Sequence, residues 1–79
     1  MVSVEDIIEV LNELQEDATV PKNIKTKLQD VAGLIKEKQD NSMNINKALD
    51  ILEEISDDVN LQSHIRTRIW NVVSLLETV

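Results

Sequence analysis

The chain has 79 residues, a net charge of −7, no cysteine, one histidine, and a single aromatic residue, Trp70. That length holds one small domain with a thin core. Without cysteine there is no disulfide framework, thiolate chemistry or cysteine-based zinc site. Apolar runs of two or three residues fall far short of the roughly 20 needed to span a bilayer. The acidic balance opposes nucleic-acid backbones and anionic lipid surfaces at long range. No basic-then-apolar leader follows Met1, so a cytoplasmic protein with no membrane contact is expected.

Apolar spacing is helical from end to end. Val4, Ile7, Ile8, Leu11 and Leu14 fall at i, i+3, i+4, i+7 and i+10, predicting a first helix over 4–17 with Ser3 as its N-cap. Ile24, Leu28, Val31, Ala32 and Ile35 predict a second over 20–38, capped by Thr19, with Pro21 in its first turn. The polar segment 39–43 reads as a mobile linker. Ile45, Ala48, Leu49, Leu52 and Ile55 predict a third helix over 45–58 behind Asn44, and Ile65, Ile69, Val72, Val73 and Leu76 a fourth over 61–78 behind Asn60. Both Thr19 and Asn60, as N-caps, would contribute ~0.5–2 kcal/mol each. Gly33, the one glycine, marks a small-residue position within the second helix.

The sequence also matches itself at an interval of 41 residues. Residues 3–38 lie on 44–79 without a gap, pairing Leu11 with Leu52, Glu13 with Glu54, Asp17 with Asp58, Ile24 with Ile65, Thr26 with Thr67 and Val31 with Val72. Lys25 and Lys27 pair conservatively with Arg66 and Arg68. Agreement at polar positions exceeds what two amphipathic helices share by composition. Each predicted helix carries an apolar stripe wide enough for two neighbours, extended by Val10, Leu34, Ile51 and Leu75. An all-α, up-and-down four-helix bundle of two tandem helical hairpins follows, in one domain over 1–79: repeat one 3–38, linker 39–43, repeat two 44–79. The hairpins pair within one chain or swap between two.

No catalytic constellation emerges. Glu53/Asp57 and Glu54/Asp58 stand at i, i+4, a spacing that suits a hard cation but equally a solvated acidic face. His64 has Asn23 as its repeat partner and no glutamate three residues before it, so a dinuclear carboxylate centre is not implied. A phosphate-binding loop would need more glycine. No metal and no cofactor are expected.

Two candidate surfaces remain. Trp70, whose repeat partner is Gln29, sits at the border of the buried stripe, where symmetry requires no aromatic; its ring either caps the edge of the bundle or anchors a contact with a partner or a second copy. Val73 supplies an apolar floor, Arg66 a cation able to lie over the ring, and Asn71 and Glu77 a polar rim, the organisation of a protein-contact site. The second candidate is the basic turns, Lys22, Lys25 and Lys27 with Arg66 and Arg68, as a nucleic-acid or ribonucleoprotein contact. Lys25 and Lys27 point about 160° apart on a helix, and no Tyr or Phe is present for base stacking. A non-enzymatic module that binds either a protein partner or a second copy of itself, as a homo-oligomer, is therefore the first expectation, and nucleic-acid association the alternative.

The runs Thr19-Val20-Pro21-Lys22-Asn23-Ile24-Lys25, Ile51-Leu52-Glu53-Glu54-Ile55 and Arg66-Thr67-Arg68-Ile69-Trp70-Asn71 resemble the archaeal uncharacterised protein family 0147. The similarity covers most of the chain. Where that family's second turn holds prolines, this chain has Val59 and Gln62. The resemblance implies an archaeal, cytosolic helical bundle and assigns no activity.

Overall fold

The computed structural model describes residues 3–36 and 41–78, and among these it contains four helices and no strand. The helices are α1 (Val4–Glu16), α2 (Lys22–Lys36), α3 (Asn41–Ser56) and α4 (Ser63–Glu77). They form a four-helix bundle in which α2 packs against α1 and α3, and α4 against α3 and α1. Both hairpins therefore meet along two seams, α2 with α3 and α4 with α1. The predicted stripes become the core: Ile7, Leu11, Leu14, Ile24, Leu28, Val31, Leu52, Ile55, Ile65, Ile69 and Val72 are all buried, with Val10, Leu34, Ile51 and Leu75 packed at its margins.

Turn chemistry sets the helix boundaries. Ser3 caps α1 as expected, through a reciprocal box: its Oγ accepts from the Asp6 N–H at 3.3 Å, and its own N–H donates to Asp6 Oδ2 at 3.2 Å. The other expected caps are corrected. Helix α2 starts at Lys22, not 20, and α4 at Ser63, not 61. A residue before proline is disfavoured from helical backbone, which holds Val20 outside α2. Pro21 is thus the residue before the helix, and its carbonyl accepts from Ile24 and Lys25 N–H, both at 3.0 Å. Thr19 caps nothing: its N–H and hydroxyl both donate to Asp17 Oδ1, at 2.8 and 2.6 Å. The equivalent turn repeats this, Asn60 N–H donating to Asp58 Oδ1 at 2.8 Å, and Gln62 precedes α4 with no side-chain cap. Asp17 and Asp58 are the residues that shape the two turns, by bonding the backbone two positions on. Val20 and Leu61, expected in helices, lie instead in these turns and close the end of the core, 3% and 4% exposed.

Helix α3 begins at Asn41, one turn earlier than expected, so Asn44 is not its cap and residues 41–43 are helical instead of linker. Asn44 stands four residues before Ala48 on the inward stripe and is itself buried, so the stripe continues by one turn. The remaining linker positions, 39 and 40, and the expected end of the second helix at 37–38 lie outside the described residues.

Hydrogen bonds recur at the 41-residue interval. Asp17 N–H to Leu14 O (3.2 Å) matches Asp58 N–H to Ile55 O (3.0 Å), Val20 to Asp17 O (3.1 Å) matches Leu61 to Asp58 O (3.2 Å), and Thr26 Oγ1 to Lys22 O (3.2 Å) matches Thr67 Oγ1 to Ser63 O (3.1 Å). The ion pairs recur across the seams: Lys27 Nζ meets Glu54 Oε1 at 2.8 Å, and Arg68 Nη2 meets Glu13 Oε2 at 3.0 Å. Each is solvent-exposed and contributes only ~0–1 kcal/mol, so these pairs mark the register of the hairpins more than they hold it.

Gly33 sits in the interior of α2, exposed, and a Cβ there would meet no neighbour within 4 Å. No close packing explains the glycine. Gly33→Ala should stabilise the protein by ~0.5–1 kcal/mol through the backbone entropy glycine loses in a helix, read as a higher denaturant midpoint with unchanged slope. A loss of stability would show that the site is closed in solution.

Candidate functional site

Trp70 lies in the middle of α4 and is 58% exposed. Its helix is anchored by Ile65, Ile69, Val72 and Leu76, which point into the core, so the indole is carried outward by about 100° from Ile69. Val73 is half-buried against the core beside it, and Asn71 and Glu77 are exposed. Trp70, Val73 and Glu77 thus share one flank of α4, while Asn71 points about 100° further round the helix.

Arg66 has a different task from the one expected. Its Nε donates to the Ser56 carbonyl and its Nη2 to the Asp58 carbonyl, both at 3.0 Å. The Ser56 carbonyl ends α3, where the helix leaves acceptors unpaired and the dipole favours a cation, and the Asp58 carbonyl lies in the turn beyond, where it also accepts from the Leu61 N–H. The guanidinium therefore ties the end of α3 to the start of α4 instead of lying over the indole.

This contact also fixes the relation of α3 and α4. Arg66 turns toward α3, and Trp70, one turn further along α4 and about 40° further outward, projects from the same flank of the helix. Counting back equally from the 57–62 turn of this antiparallel hairpin sets Trp70 level with the part of α3 near Asp50. Glu53 lies on the groove side, with Asp50 and Asp57 on the outward face of α3, and all three are exposed. Their spacing was visible in the sequence, but their nearness to Trp70 depends on the register between two helices, which no local pattern carries.

The basic turns do not assemble into one surface. Arg66 is committed to α3, Arg68 to Glu13 on α1, and Lys27 to Glu54 on α3, while Lys25 is half-buried and Lys22 exposed at the start of α2. The cations are divided among flanks facing different helices.

At the turn between α1 and α2, Thr19 Oγ1 lies 3.5 Å from Nε2 of His64, which is exposed. The Asp17 carboxyl is held below its usual value of 3.8, first by the Thr19 hydroxyl and then by the Thr19 N–H, aided by the charges of His64 and Arg68. Thr19 gives its hydroxyl proton to Asp17, so this cluster presents a turn lock and not an activated nucleophile. Among the described residues, no three His, Asp or Glu side chains gather where one metal ion would reach them: Glu53 and Asp57 are exposed, Glu54 meets Lys27, and Asp58 accepts from the Asn60 N–H. No described helix is long and apolar enough to cross a membrane.

A four-helix bundle of two hairpins with an exposed tryptophan on its second hairpin is the class of protein these features define. The chain belongs to the uncharacterised protein family UPF0147, whose family model matches residues 2–79. The same fold is seen in the crystal structure of a protein of unknown function, MMP1188, at 35% identity and a TM-score of 0.89, covering 96% of this chain and 88% of that one. A crystal structure of a UPF0147 protein from Thermoplasma acidophilum is similar at 29% identity and a TM-score of 0.88, covering 94% of this chain and 88% of that one. No match is found among curated proteins.

Arg66 and Lys25 occupy equivalent repeat positions, and only the first has printed its mark on a helix end. Arg66→Ala should destabilise the fold by ~1.5–3 kcal/mol, the range for bonds to a charged donor, while Lys25→Ala should stay within about 0.5 kcal/mol. Chemical denaturation of both variants checks this; equal effects would remove the asymmetry assigned to Arg66.

Proposed function

We propose that this protein is a non-catalytic interaction module that binds a protein through the face centred on Trp70, with Val73 as its apolar floor and Asn71 at the rim. The observation that carries the reading is the exposure of Trp70, 58% in a chain whose other stripe residues are buried or packed at the core margin. Tryptophan is the residue type most often found to dominate protein contacts, and an apolar centre with a polar rim is how such contacts are built. A cytoplasmic setting belongs to the same reading, since a chain without cysteine has no structural use for an oxidising compartment. The alternative of nucleic-acid association draws no support from the basic turns, because Lys27, Arg66 and Arg68 are engaged within the fold.

The test is Trp70→Ala, compared with the wild type in thermal melting, analytical ultracentrifugation and affinity capture. Because the ring is mostly outside the core, its loss should cost well under the ~3–5 kcal/mol of a core aromatic truncation. Association with a partner, or with a second copy, should be lost while the fold remains. A folded Trp70→Ala protein that keeps every association of the wild type overturns the reading, as does one that fails to fold.

A further inference from the structure

The two hairpins share their core and turns but not their outer grooves. By helical position, Trp70, Val73 and Glu77 of α4 and Glu53 of α3 border the groove of the second hairpin. At the equivalent positions the first hairpin has Gln29, Ala32, Lys36 and Asn12. At these four positions one groove is aromatic and acidic and the other amide-rich with a cation, whereas the outward carboxylates Asp50 and Asp57 recur as Glu9 and Glu16. Folding demands neither version, since Trp70, Glu53 and Glu77 are all exposed.

Charge selects the occupant of the second groove. Glu53 and Glu77 flank the indole, and Asp50 and Asp57 add two carboxylates on the outward face of α3. The nearest cation on α4, Arg66, is spent on the Ser56 and Asp58 carbonyls. Lys47 stands seven residues before Glu54, hence on the flank that faces α2. His64 faces the α1–α2 turn through Thr19. A second copy docking through the same patch would set these carboxylates against their own images, in a chain already at −7. A basic segment meets the groove with the opposite sign, and a guanidinium over an indole face adds a cation–π contact.

We propose that the groove between α3 and α4 is a docking site for an arginine- and lysine-rich segment of a partner protein, with Trp70 as the stacking platform and Glu53 and Glu77 as the counter-charges. This rests on the interaction reading above and names the chemistry of the partner.

A fluorescein-labelled dodecapeptide of alternating arginine and alanine, titrated with the full chain, tests it, with the glutamate–alanine peptide as control. Saturable one-to-one binding is expected for the basic peptide only, with a shift of Trp70 emission and weakening by added salt. The double variant Glu53→Lys/Glu77→Lys should weaken binding by about tenfold or more, as should Trp70→Ala. Glu9→Lys/Glu16→Lys makes the same change of net charge on α1 and should leave affinity within about threefold. Circular dichroism confirms that each variant is folded, and the titration is read only on those that are. Equal weakening by both double variants, or an unmoved Trp70 emission, would show diffuse attraction to an acidic surface and overturn the proposal. Absence of basic-peptide binding, with Trp70→Ala still abolishing an association of the wild type, overturns the basic partner alone and leaves the interaction reading standing.

Discussion

Each hairpin presents an apolar stripe that only the other hairpin covers, and this mutual burial is the constraint on which the rest of the structure depends. Two helices of 13 to 16 residues leave half of each stripe in water. Such helices are marginal alone, and tertiary packing of their apolar faces supplies most of what holds them. Closing the α2–α3 and α4–α1 seams puts Leu11 and Leu52, and Ile24 and Ile65, fully out of solvent. Everything else is subordinate: the turns point the helices, and the exposed ion pairs record the register that burial has set.

A core formed this way leaves the outer grooves free to differ. The residues that recur at 41-residue spacing are those the core and turns need, such as Leu11/Leu52, Asp17/Asp58 and Val31/Val72. The residues that differ are mostly those facing outward, Gln29 against Trp70 and Lys36 against Glu77. Arg66 is the exception that links the two levels. It uses an asymmetric cation to tie the end of α3 to α4, and in doing so it leaves the neighbouring groove acidic. The outer face of the second hairpin is thus set on a scaffold whose stability does not rest on it.

The architecture was legible because periodicity reports burial directly: Ile7, Leu11 and Leu14 could only face one side, and they do. Helix ends were less legible because several polar residues compete for each turn. Thr19 and Asn60 have the chemistry of N-caps, but Asp17 and Asp58 take their amides first, and Pro21 forbids Val20 from beginning a helix. Asn44 reads as a cap because asparagine usually is one, yet the inward stripe runs through it. The exposure of Trp70 followed from its angle to Ile69, whereas the part played by Arg66 did not. An arginine at i−4 is placed to cover an indole, and only the position of the α3 carbonyls shows what it binds instead. The acidic flank of the groove was hidden for the same reason, since it depends on the alignment of α3 with α4.

Mutual burial makes a direct statement about cooperativity: neither hairpin opens while the other remains folded. Native-state amide hydrogen exchange measures this residue by residue. The slowest amides in all four helices, around Leu11, Leu28, Leu52 and Ile69, should exchange with one common free energy equal to that of global unfolding. A hairpin whose core amides exchange through a separate opening of clearly lower free energy, while the other stays protected, would contradict it.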